Sequence, residues 1–363
     1  MSLKLKTLTA TVGVTALAVS LAPMALAAPH PTRTLTDQVL LPSQISISHG
    51  RVYVADGGTS TLSRVLRNGK LKTLATGPQG GAGDLAGVDL SRSGRSIAYT
   101  WTNFAAGKSG LTVRTASDRV RTAQLFDYER LRNPDGKVRY GVPADASRCV
   151  KKAIAKATGG PATYKGIVDS HPYSVASLGK GRWAVAEAAG NDILTVDRWG
   201  AIRTLAVLPP QPLKITKRTA ANLGLPHCTV GVTYRFEPVP TDVEVDRHGM
   251  LWVSTLPGGP EDPSLGARGS VYKVNPHTGK ATRVATGFAG ATNLAVAPNG
   301  TVYVAELFGG KVSVIRHGKV RTFQKIASPL SVEVKGWWLF VGTMAPMDEN
   351  GPSGTGSILK IRR

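Results

Sequence analysis

Three short stretches carry side chains of the kind that do chemistry. "VYVAELFGG" at 302–310 runs from a strand into Glu306 and a glycine-rich loop. "DSHPYS" places Asp169, His171 and Tyr173 close together, and "PTDVEV" and "ATNLAV" put Asp242 and Asn293 near the starts of strands. Carboxylates and imidazoles so placed can hold a cation or pass protons as general acids and bases. The familiar catalytic strings are missing: there is no HExxH, GxSxG, CxxC or P-loop. "GPQGGAGD" lacks the P-loop lysine and reads as a surface connection. His49, His248, His277 and His317 fall in short turns and read as solvent-exposed turn residues.

The elements that must position these groups are repeats. "TNLAVAPNGTVYVAE" is an alternating strand, a tight turn ending in Gly300 and a second alternating strand. The unit recurs in "SQISISHGRVYVAD", "AGVDLSRSGRSIAYT", "YSVASLGKGRWAVAE", "TDVEVDRHGMLWVST" and "LSVEVKGWWLFVGT". Alternation with a glycine turn signals a hairpin. Each copy leads into two further strand-like segments, such as "DILTVDRWGAIRTLAVL". Four antiparallel strands per repeat, called A to D outward from the axis, make a propeller blade. The expected fold is an all-β, six-bladed β-propeller over 28–363, with a short helical insertion between blades 2 and 3. The last copy stops after three strands, and "TRTLTDQVL" resembles the fourth strands elsewhere. Residues 32–40 are therefore expected to complete the last blade and close the ring.

Aligned on the turn glycine, Asp56, Thr100, Glu187, Thr255 and Glu306 share one position at the end of strand B, and Thr343 takes it in the last copy with one extra residue allowed. Either the acids Asp56, Glu187 and Glu306 approach the axis to bind a cation, or they accept backbone N–H groups from their own B–C loops. The first residues of strand A rim the channel and are better placed for ligands: Gln44, Asp84, Asp169, His171, Tyr173, Asp242 and Asn293. By antiparallel geometry the A–B and C–D turns share one plain face. The insertions 126–168 and 208–239, and the long B–C loops 101–110, 256–269 and 344–356, gather on the other. Elaborated loops on one face of a rigid scaffold mark where function lies. "DASRCVKKAIAKATGG", in the first insertion, reads as a helix with Asp145 as N-cap and Gly159 near its end.

The N-terminus has Lys4 and Lys6, an apolar stretch and then Ala25-Leu26-Ala27. That order is a secretory signal peptide over 1–27, so the protein is expected to be secreted. No later segment is long enough to span a bilayer. In an oxidising compartment the two cysteines, Cys149 and Cys228, are expected to pair. The 45 Lys and Arg against 23 Asp and Glu give a net charge of +22, which favours acidic envelope polymers as partners. The basic residues are spread along the chain without the basic-aromatic arrays of nucleic-acid modules. A monomer is expected.

"LAVAPNGTVYVAELFGGKVSVI" resembles an NHL-type propeller repeat. "VDSHPYSVASLGKGRWAVAEAAGNDILTVDRWGAIRTLAVLPP" and "GVTYRFEPVPTDVEV" resemble the secreted ScyD/ScyE-type propeller proteins of bacteria. The resemblance spans the mature chain and implies an exported six-bladed propeller, without implying a reaction. A more distant similarity, to calcium-dependent lactonases and strictosidine-synthase-like propellers, implies Ca2+ in the channel with Asp242 and Asn293 as ligands. The sequence thus points to a propeller that binds a small molecule, a glycan or an envelope component on its loop-rich face. The alternatives are a metal-dependent hydrolase, with His171 joining Asp242 and Asn293, and a polyanion-binding surface protein.

Overall fold

The computed structural model describes residues 30–260, 263–349 and 351–363. The expected leader, 1–27, lies outside the described residues. The chain is all-β and organised in four-stranded antiparallel sheets, the architecture of a β-propeller. We number six of these sheets I to VI by their inner strands: Pro42–Ser48, Gly83–Leu90, Pro172–Gly179, Pro240–Val245, Ala291–Val296 and Pro329–Lys335. In sheets I to V the four strands follow one another in sequence. In sheet VI the fourth strand is Thr32–Val39, which pairs antiparallel with Gly356–Arg362 at the other end of the chain.

Strand B of sheet I shows why these sequences form buried strands. In "RVYVAD", Val52 and Val54 pack with Ile45 and with Phe340 and Ile358 of sheet VI. Tyr53 and Ala55 point the other way, onto Leu85 and Val88 of sheet II. A strand covered on both faces reads as a continuous apolar run. Each fully buried Val or Leu contributes about 1.5–3 kcal/mol. Similar clusters join sheet II to III, III to IV, IV to V and V to VI. Several plain-face turns are tight: His49-Gly50, Lys180-Gly181 and His317-Gly318 all have positive φ at both residues. That backbone matches the twist of the flanking strands and explains the glycine at the second position.

Pairing corrects one alignment. Trp101, not Thr100, stands opposite Leu85 where Asp56 stands opposite Pro42, because the sheet II turn carries one more residue after its glycine: Leu90 pairs with Ile97, three past Gly94, where Val245 pairs with Leu251, two past Gly249. The turn glycine is thus an unreliable ruler in that sheet. Thr100 instead accepts the Gly87 N–H at 2.8 Å.

The two large insertions build a seventh sheet, ordered Thr163–Lys165, Arg139–Gly141, Thr233–Phe236 and Gln211–Lys214. This cap has its own core of Val142, Val150, Ile154, Ile215 and Tyr234. Its helix, Arg148–Thr158, is capped by Ser147, whose hydroxyl accepts the Val150 N–H at 3.3 Å; Asp145 lies outside it. Val150 and Ile154 form the buried face, and Gly159 ends the helix at φ +69°. Cys149 and Cys228 are disulfide-bonded across 79 residues, with Cα atoms 6.4 Å apart. The bridge ties one insertion to the other. A second helix, Leu125–Arg132, precedes the cap and docks on sheet III, where the Tyr128 hydroxyl accepts the Thr204 N–H at 2.9 Å. No described helix is long and apolar enough to cross a membrane.

Candidate functional site

His171 lies in the segment entering the inner strand of sheet III, half-buried. Its Nε2 is 2.7 Å from Asp84 Oδ2, on the inner strand of sheet II. Tyr173 meets the imidazole edge-on at a centroid distance of 4.4 Å, and Phe104 meets it at 5.0 Å. Phe104 is 55% exposed, so an apolar ring stands open beside a carboxylate-oriented imidazole. Asp169 is exposed, and its Oδ1 accepts the Ser170 N–H at 2.8 Å.

Asp242 and Asn293 are not at an exposed rim. They are 0% and 1% exposed, and their oxygens are engaged. Asp242 Oδ2 accepts the Leu294 N–H at 2.9 Å and its Oδ1 accepts Gln44 Nε2 at 3.3 Å. Asn293 Oδ1 accepts the Val332 N–H at 2.8 Å. The same contact recurs elsewhere: Gln44 Oε1 accepts the Val88 N–H, and Ser174 Oγ the Val243 N–H. The physical reason is the edge. An inner strand has unpaired N–H groups on its axial side, and buried N–H groups need acceptors. The preceding sheet supplies one from the polar position of its own inner strand. In sheet II that position is Gly87, where a Cβ would lie 2.9 Å from Ser174 Cα. Gln44 therefore reaches across to accept the Val175 N–H at 3.1 Å. Burial pushes the Asp242 carboxyl up to about 7, against the pull of its backbone donors. His171 is engaged with Asp84 rather than with either residue.

Two positions further along the inner strands lie Ser46, Asp89, Ala176, Glu244, Ala295 and Glu333, so acids alternate with small residues. Most of them line a cavity of about 580 Å³ at the plain-face end, with Lys335 beside them. Asp89 accepts Ser46 Oγ at 2.8 Å and the Ser177 N–H at 2.7 Å. Burial, then the facing carboxylates, hold Glu244 and Glu333 well above the usual range. Sequence reading missed this layer, although "DVEVD" and "SVEVK" display its period.

The acids ending strand B all bind the chain that enters strand A of their own sheet. Asp56 accepts Leu40 N–H and Leu41 N–H at 2.8 Å each, and Gly58 N–H at 3.0 Å from its B–C loop. Glu306 accepts Ala289 N–H at 2.8 Å and the Ser313 hydroxyl, with Lys311 Nζ at 3.6 Å. Glu187 accepts Ser170 Oγ at 2.7 Å and the His171 N–H, and burial pushes it up to about 7. Around Glu187 stand three further carboxylates that sequence reading did not single out: Glu129, Asp135 and Asp192. Burial, then Glu187 and Asp135, push Glu129 up to about 8. Among the described residues, no three His, Cys, Asp or Glu side chains stand as placed where they could hold a metal.

The cap contains a pocket of about 540 Å³ walled by Tyr164, Leu213, Ile215, Tyr234 and Phe236, with Glu237 as its carboxyl. Burial raises that carboxyl. Arg268, from the B–C loop of sheet IV, lies 4.5 Å over the Phe236 ring. The strings "TYK", "PLKI" and "TYRFE" carried the signal, since their alternate positions are the apolar and aromatic ones.

No family model and no curated protein matches the chain. Solved structures do. A glucose dehydrogenase is 13% identical over 92% of this chain and 99% of its own, with a TM-score of 0.54. A putative oxidoreductase (glucose dehydrogenase) from Thermus thermophilus is 16% identical over the same shares, also at 0.54. A protein of unknown function from Bacteroides thetaiotaomicron is 11% identical over 91% of this chain and 75% of its own, at 0.52. At these identities the likeness shows the fold alone, a β-propeller.

Proposed function

We propose that this chain is an exported six-bladed propeller, closed by the strand Thr32–Val39, that binds a small, largely apolar molecule in its cap. The reading fits the resemblance to the ScyD/ScyE-type proteins. The observation that carries it is the aromatic pocket on the loop-rich face. Its volume lies within the range of about 300–1,000 Å³ typical of small-molecule sites, and apolar walls with few polar groups are their usual chemistry. Glu237 supplies the carboxyl that can orient a polar group of the ligand within these apolar walls. The naphthalene dye 8-anilinonaphthalene-1-sulfonate serves as probe. Its fluorescence should rise on binding, and Leu213→Trp, which fills the pocket, should weaken binding at least tenfold. Equal affinity in the filled variant would remove the pocket from the function.

A second reading, hydrolysis at the channel mouth, is favoured by the His171–Asp84 contact. The carboxylate orients the ring so that the free nitrogen can take a proton from water or substrate. A panel of lactones and aryl esters tests it. Turnover that survives His171→Ala would place the chemistry elsewhere.

A further inference from the structure

We propose that Glu129, Glu187 and Asp192, with Asp135 beside them, form a buried site for a hard divalent cation, calcium by its chemistry, that pins the cap to sheet III. The four carboxylates are fully buried, none more than 2% exposed. The chain has nearly twice as many basic as acidic residues, yet none of the ion pairs among the described residues reaches these four acids. Several of their oxygens have no close hydrogen-bond partner: both of Asp192, Glu129 Oε1 and Asp135 Oδ1. The Thr204 hydroxyl, 3.0 Å from Tyr128 Oη, hydrogen-bonds toward Asp192 and works against the rise that burial and the facing carboxylates impose on it. An ionised carboxylate buried without a partner is among the costliest groups a fold can carry. Protons alone would leave buried carboxyls without hydrogen bonds, at a further cost.

The geometry gives the cation a place. Gly190, in the loop between Glu187 and Asp192, has no side chain. The point its Cβ would occupy lies 3.3 Å from Glu129 Oε2, 3.7 Å from Asp192 Oδ1 and 3.0 Å from Glu187 Cγ. That point is a single bond length from the Gly190 Cα and too close to it for an ion, so the cation would sit beyond it, between the two oxygens, and the carboxylates must close around it to calcium's usual distances of about 2.3–2.6 Å. An all-carboxylate set without His or Cys selects a hard ion, and so dry a site favours calcium over magnesium, which keeps its waters. The ligands come from the helix Leu125–Arg132, the turn after it and both ends of the sheet III loop. The Asp135 Oδ2 also accepts Tyr140 Oη at 2.9 Å, from the cap sheet, and Asn191 Nδ2 at 3.0 Å. An ion here would therefore join cap to blade, whereas the disulfide joins the two insertions to each other. The site is independent of the apolar pocket.

The test uses the full chain stripped with EGTA. Calcium at about a hundred times its Kd should raise the Tm by about 5 °C. Terbium should bind with tyrosine-sensitised emission that calcium displaces. Gly190→Ala puts a methyl group against the Glu129 and Asp192 oxygens that would close on the ion, and Gly190 is not in the left-handed region, so the backbone accepts it. This variant and Asp192→Asn should each weaken calcium at least tenfold, while Glu333→Gln on the inner strand of sheet VI should not. No Tm change with calcium, magnesium or manganese, and no terbium emission, would overturn the site using the unmodified protein alone. Calcium binding that survives Gly190→Ala and Asp192→Asn would overturn it equally, as would loss only in Glu333→Gln.

Discussion

Asp56 and Glu187 occupy the same register position in sheets I and III, yet their surroundings differ. Asp56 is surrounded by donors: two N–H groups from the chain entering its sheet and a third from its own loop. Glu306 in sheet V is similar, with a lysine added. Glu187 keeps the entering-chain contact through His171 but faces Glu129, Asp135 and Asp192. The position therefore does one job in all three sheets, fastening the chain that enters strand A. In sheet III alone it also borders a cluster of other buried carboxyls, beneath the inserted cap. A carboxylate with donors on every side is complete; one set among other carboxylates needs something more.

The largest expected effect tests the complete case. Asp56→Ala strands at least three N–H groups and should cost about 3–5 kcal/mol in urea unfolding, whereas Asp192→Asn in calcium-free protein should stabilise. If both destabilise alike, the contrast between the two sites fails. Next, replacing Cys149 and Cys228 by alanine should cost about 4 kcal/mol in the chain-entropy picture. Limited proteolysis should then cut first within 126–168 or 208–239, leaving the six sheets intact. Glu306→Gln keeps one acceptor and loses the charge facing Lys311. It should cost about 1–2 kcal/mol, less than Asp56→Ala.

The smallest effect is on pH dependence. Asp242 titrates at about 7 in the fold against 3.8 as its ordinary value, so the folded state holds the proton more tightly. Its contribution is fully present below pH 3.8 and is lost as pH rises through about 7. Tm measured from pH 5 to 8 should therefore decline less in Asp242→Asn than in the parent. An unchanged slope would show that another carboxyl governs it.

Much of the architecture was legible because it is local. Alternating apolar residues around a glycine turn announce a hairpin wherever they occur, and "TRTLTDQV" matched the outer strands it joins. The helix Arg148–Thr158 was legible from its spacing, although the cap fell to Ser147 because a hydroxyl there reaches the Val150 N–H. The cap sheet was not legible. Its strands are three or four residues long, and a helix separates the two strands of each pair within its insertion, so neither pair reads as a hairpin. The carboxylate cluster was hidden too, since Glu129, Asp135 and Asp192 belong to no common motif. Asp242 and Asn293 looked like ligands because polar residues at the start of an inner strand are ambiguous. The neighbouring sheet's unpaired N–H groups decided their partners.

The sequence by itself determined the repeating strands, the two large insertions and the pair of cysteines, since these follow from periodicity, loop length and residue count. Only the tertiary structure decided which acids meet backbone donors and which meet one another. That choice depends on side chains far apart in the chain sharing a buried space, where a carboxylate's partners fix its charge and its use.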